Sequence, residues 1–116
     1  MNDILDQYAN IITNHEITVW ETQPASYRFS AEITFIDGSS LQIKDYLFPN
    51  KRKYAYHWQN SDGELNIRWD NAPHWKTIPT FPHHKHTPED VFPSKETSLQ
   101  DVLQYIAEII ERDRKV

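Results

Sequence analysis

The run Lys53-Tyr54-Ala55-Tyr56-His57-Trp58-Gln59, the turn-like Asn60-Ser61-Asp62-Gly63, and the run Leu65-Asn66-Ile67-Arg68-Trp69-Asp70 read together as a β-hairpin. Alternation with period two places Tyr54, Tyr56 and Trp58 on one face of the first arm, and Leu65, Ile67 and Trp69 on the same face of the second. His57, Gln59, Arg68 and Asp70 then share the other face with Ala55 and Asn66. A two-residue turn at Asp62-Gly63 sets His57 opposite Arg68 and Ala55 opposite Asp70. A four-residue loop shifts the pairing by two and keeps the faces. A three-residue loop would set tryptophans against polar side chains, which register specificity disfavours. Either favoured register gathers His57, Arg68 and Asp70.

Upstream, Tyr27, Phe29, Ala31, Ile33 and Phe35 alternate strictly with Arg28, Ser30, Glu32 and Thr34. That pattern predicts a half-buried antiparallel strand which turns at Asp37-Gly38 and returns through Leu41 and Ile43. Ile17 to Glu21 reads as a short strand broken by Pro24. Before it, Ile4, Tyr8, Ile11 and Ile12 recur at helical spacing behind a cap at Asn2 or Asp3, which predicts a helix ending near Asn14. Downstream, residues 71 to 97 hold five of the seven prolines and no regular period, so they read as a long Pro/His-rich loop, with Trp75, Phe81 and Phe92 as anchors. Ser98 then caps a final helix with Asp101 three residues on and an apolar stripe of Val102, Leu103, Ile106, Ile109 and Ile110. Arg112, Arg114 and Lys115 suit its C-terminal end. The expectation is one α+β domain over residues 1–116, an antiparallel sheet of about five strands with the N- and C-terminal helices packed on one face.

Composition removes whole classes of chemistry. The 116 residues contain no cysteine, which excludes disulfides, thiol nucleophiles and thiolate metal sites. The two glycines, Gly38 and Gly63, cannot build a phosphate-cradling loop, so P-loop and Rossmann chemistry are excluded. No basic-then-apolar leader opens the chain, and no apolar run approaches the roughly 18 residues of a membrane span, so a cytoplasmic protein with no membrane association is expected. Net charge is -5 but unevenly spread. Residues 44 to 86 carry seven bases against four acids, a net of +3, while the rest carry five against thirteen, a net of -8. Five of the six histidines fall in the basic segment.

That segment holds the parts needed to cleave RNA without a metal or other cofactor. Imidazoles titrate near neutrality, so one accepts a proton while another donates, and Arg or Lys stabilises developing negative charge. The residues in question are His57, Arg68 and Asp70 on the hairpin, with His74, His83, His84, Lys85 and His86 in the loop. Lys51, Arg52, Lys53, Lys76 and Trp75 are the expected RNA contacts. Plainer readings stand beside these. His57 and Arg68 also fit an exposed cross-strand pair, and alternation favours core packing over base stacking for Tyr56, Trp58 and Trp69. Histidines two apart on an extended segment point the same way, so His84 and His86 also fit a divalent metal site, although no carboxylate-rich motif accompanies them. A solvated, proline-stiffened loop is the remaining alternative.

The segments Tyr54 to Gln59, Asp70-Asn71-Ala72-Pro73-His74 and Phe81-Pro82-His83-His84-Lys85-His86, with the approach to the final helix from Pro93 to Leu99, resemble the TumE family, small toxins of type II toxin–antitoxin pairs. Trp75 is the visible departure, standing where relatives commonly have another histidine. The resemblance implies a toxin held inactive by a cognate protein antitoxin. The residues themselves point to an endoribonuclease, with RNA as substrate; a homodimer stays open. The alternatives are a non-enzymatic RNA- or protein-binding module and a His-liganded, metal-dependent hydrolase.

Overall fold

In the computed structural model, which describes residues 2–114, the chain runs α1 (Asn2–Gln7), β1 (Ile12–Gln23), β2 (Ser26–Phe35), β3 (Ser40–Phe48), β4 (Lys51–Gln59), β5 (Leu65–Asp70), β6 (His84–His86), β7 (Val91–Pro93) and α2 (Leu99–Arg114). All strands are antiparallel to their chain neighbours and lie in sequence order, forming one seven-stranded meander. Seven strands stand where about five are expected, because β6 and β7 lie inside the proline-rich segment. At three residues each they are too short to show a period.

The alternating segments build the core as read. Phe29, Ala31, Ile33 and Phe35 from β2, Leu41 and Ile43 from β3, Tyr54, Tyr56 and Trp58 from β4, and Trp69 from β5 are all buried. Leu5, Tyr8 and Ile11 join the same cluster, as do Leu99, Val102, Leu103, Ile106, Ala107 and Ile110 of α2. Each fully buried aliphatic or aromatic side chain contributes roughly 1.5–3 kcal/mol. The α2 cap is reciprocal: the Ser98 Oγ accepts from the Asp101 N–H and the Ser98 N–H donates to Asp101 Oδ2, both at 3.1 Å. Lys115 and the Asn2 side chain, expected at the helix ends, lie outside the described residues. Among the described residues no helix is long and apolar enough to cross a membrane.

Two boundaries differ from the sequence reading. The first helix ends at Gln7, so Ile11 lies past it in a turn and Ile12 opens a strand. β-branched residues at Ile12, Thr13, Ile17, Thr18 and Val19 win the segment for β1, which extends well beyond Ile17–Glu21 and is irregular near Thr13 and Thr18. The hairpin turn also differs. The Asn60 N–H donates to the Glu64 carbonyl at 2.9 Å, and Gly63 has φ 89°, which makes a three-residue loop of Ser61, Asp62 and Gly63. Asn66 is then an extra residue in β5, between the pairs Gln59–Leu65 and Trp58–Ile67. The bulge restores the expected pairing beyond it, so Trp58 meets Ile67, Tyr56 meets Trp69, and His57 meets Arg68. Leu65 is displaced to a position opposite Gln59.

Candidate functional site

Antiparallel register lays the polar face out in rows that run across the strands. One row is Gln42, His57, Arg68, His86; the next is Lys44, Ala55, Asp70, His84. The short β6 is therefore what brings loop histidines to the hairpin. Ala55, with a single methyl between Lys44 and Asp70, leaves a depression of about 370 Å³ lined by Gln42, Lys44, Lys53, His57, Arg68 and Asp70, and by Asn71 and Ala72 at the start of the following loop. Asn71 anchors that loop to β4: its Oδ1 accepts from the Tyr54 N–H at 3.0 Å and its Nδ2 donates to the Arg52 carbonyl at 2.7 Å.

The two rows differ in depth. Asp70 is 5 % exposed and His84 1 %. The Asp70 carboxylate accepts from Arg68 Nε at 3.1 Å and from the Ala72 N–H at 3.0 Å, and lies 2.8 Å from His84 Nε2 and 3.5 Å from His86 Nε2. Only Nε of Arg68 is committed to the carboxylate. Its Nη1 points along the outer row to His57 Nδ1 at 3.4 Å, and the side chain is 42 % exposed. Burial first, and the Arg68 cation second, hold the His57 imidazole below the ordinary histidine value of 6.5. Burial also lowers His86, with His84 and Arg68 pushing the same way against the pull of Asp70. Trp75, 41 % exposed, sets its ring edge-on to His84 and His86, with centroids 6.4 and 6.0 Å away.

Not every expected residue arrives here. His83 turns to Tyr54, stacking on its ring and bonding its hydroxyl through Nδ1 at 2.8 Å. Lys85 pairs with Trp69 and Phe92, so it faces away from its two histidine neighbours. His74 and Lys76 are exposed in the loop, and Lys51 is exposed at the start of β4, over the Phe48 ring. Arg52 lies on the core face, where Nε and Nη2 grip Asp45 at 3.0 and 3.1 Å, Nη1 meets Glu96 at 3.2 Å, and the guanidinium stacks on Tyr54. Its guanidinium is thus engaged on the core face, away from the polar-face rows. Gln42 and Lys44 line the depression and were not among the expected residues, although alternation from Leu41 and Ile43 already assigns them to the polar face.

This arrangement offers two part-buried imidazoles of lowered basicity on either side of a half-exposed guanidinium, beside a cationic depression. Comparison with curated proteins and with solved structures returns no match. The family model described as Toxin TumE matches residues 1–113, nearly the whole chain, including every strand that builds the rows. The chain belongs to the TumE family of toxins.

Proposed function

We propose that this toxin is an endoribonuclease that cleaves RNA by acid–base catalysis on the outer row, and that a cognate antitoxin restrains it. The observation that carries the reading is the order His57, Arg68, His86 across β4, β5 and β6, a guanidinium between two imidazoles. One imidazole takes the proton of a ribose 2′-hydroxyl, and the oxygen attacks the adjacent phosphorus. Arg68 holds the phosphorane oxygens as negative charge gathers on them. The other imidazole protonates the departing 5′ oxygen, leaving a 2′,3′-cyclic phosphate and a 5′-hydroxyl. Asp70 and His84 act behind this row: Asp70 fixes Arg68 through Nε and keeps both Nη groups off the carboxylate, Nη1 beside His57 and Nη2 open to phosphate. Lys44 and Lys53 supply further positive charge along the depression, and the part-exposed Trp75 ring offers an unpaired base a face to stack on.

Expression with and without the product of the neighbouring gene, combined with sequencing of RNA ends, tests the reading. Growth arrest with new internal ends bearing 5′-hydroxyls, both relieved by the partner, is expected. Arrest without new RNA ends would overturn the ribonuclease and leave a toxin that acts by binding.

A further inference from the structure

The inner row has chemistry that RNA cleavage does not use. Asp70 and His84 are both buried, and their polar atoms converge with His86 on one point. Asp70 Oδ1 is 2.8 Å from His84 Nε2, and His84 Nε2 is 3.1 Å from His86 Nε2. All three donor atoms lie within 4.8 Å of one another. The other nitrogen of His84 is spoken for: Nδ1 sits 2.9 Å from the Pro82 carbonyl, an acceptor only, so Nδ1 carries the hydrogen of that bond. That leaves Nε2 as the position turned toward the carboxylate and the second imidazole. A ring whose Nδ1–H is held by a backbone carbonyl and whose Nε2 faces a carboxylate and another imidazole is the usual dress of a metal-binding histidine. The carboxylate is fixed as well, by the Ala72 N–H and by Arg68 Nε.

We infer that Asp70, His84 and His86 form a site for a divalent first-row transition metal of the zinc class, and that a metal held there withdraws His86 from proton transfer. Two imidazoles with one carboxylate favour zinc and its neighbours over magnesium or calcium, which take oxygen ligands. Tetrahedral ligands at metal–nitrogen distances of about 2.0–2.1 Å lie about 3.3 Å from one another. The spacings of 2.8 and 3.1 Å therefore need to open by about 0.5 and 0.2 Å, while the Asp70–His86 pair, within 4.8 Å, closes toward the same value. His84 and His86 are two residues apart on one strand and share a face, their rings 4.8 Å apart at 79°, so neither has to leave its strand position to bind. The Arg68 guanidinium on the second carboxylate oxygen opposes another positive charge, so binding should be weaker and more reversible than at a closed four-ligand structural site. The site stands on this geometry alone; its inhibitory consequence rests on the ribonuclease reading.

The experiment uses the full chain, stripped of metal by chelator, and titrates it with Zn²⁺ against a chromophoric chelator and with Co²⁺ by visible absorption. One equivalent is expected. Asp70→Asn and His86→Ala, checked for folding by circular dichroism, should each weaken binding at least tenfold, while His57→Ala should bind as the parent does. One equivalent of Zn²⁺ should lower RNA cleavage at least tenfold, and excess chelator should restore it. Absence of stoichiometric binding, or binding unchanged in both ligand variants, overturns the site. Zn²⁺ that binds and raises cleavage overturns the withdrawal of His86. Failure of the ribonuclease reading appears separately, as no cleavage by the metal-free protein whatever the titration shows.

Discussion

Two buried aspartates, Asp45 and Asp70, each hold an arginine, Arg52 from the neighbouring strand and Arg68 from the same strand, and they sit on opposite faces of the same sheet. On the core face Asp45 binds Arg52 through both carboxylate oxygens and accepts the Tyr27 and Tyr56 hydroxyls at 3.0 and 2.9 Å, which uses up its acceptor capacity. On the polar face Asp70 takes only Nε of Arg68, and its remaining neighbours are imidazoles. The Arg52 side chain is 17 % exposed and that of Arg68 42 %. Similar pairs thus have different fates. A bidentate pair closed by tyrosines is part of the architecture, whereas a pair engaged through one nitrogen leaves Nη2 uncommitted, where the proposed mechanism sets a phosphate.

The two pairs should differ most in stability. Asp45→Ala leaves the Arg52 guanidinium inside without its main partner, and breaking a buried pair in this way costs about 3–5 kcal/mol. Urea unfolding should show that loss, and a loss near zero would mean the Asp45 network is not structural. Arg68→Ala should lower stability by less than Asp45→Ala does, because the Asp70 carboxylate left behind keeps the Ala72 N–H and the His84 imidazole. In the same variant RNA cleavage should fall about 10²–10³-fold, the usual effect of removing a donor to a developing oxyanion. Arg68→Lys keeps the charge without the planar fork, so its activity should fall between parent and Arg68→Ala.

The smallest effect is a titration. The folded His57 pKa lies below its ordinary 6.5, so the unfolded chain binds more protons at this position as pH drops below 6.5. Its contribution should therefore make the fold less stable as pH falls through that window, and His57→Ala should flatten this dependence. Since the Arg68 cation is the second cause of the shift, Arg68→Gln should move the His57 midpoint upward when followed by NMR. An unmoved midpoint would separate the two side chains that the row joins.

How much of this is legible in the sequence depends on the length of each element. From Lys53 to Gln59 the alternation is long enough to put His57 on the polar face, and the same parity sets Arg52 with Tyr54, Tyr56 and Trp58 on the core face. Arg52 could therefore have been read as structural. The bulge at Asn66 is not legible, since hydrophobic pattern specifies faces rather than the residue at which a strand slips. Nor is β6: three residues carry no period, and its place depends on pairing with β5 across the proline-rich loop. Hence Asp70 is expected at the site while the depth of His84 is not, and nothing local in Phe81-Pro82-His83 tells that His83 turns to Tyr54.

The most direct measurement is the chemistry of the ends left on a labelled single-stranded RNA by purified, chelator-treated protein, compared with His57→Ala and His86→Ala. Expected are 2′,3′-cyclic phosphate and 5′-hydroxyl ends from the parent, and rates about 10²–10⁴-fold lower in each folded variant. Ends bearing 5′-phosphate and 3′-hydroxyl, or cleavage undiminished in both variants, would contradict this mechanism.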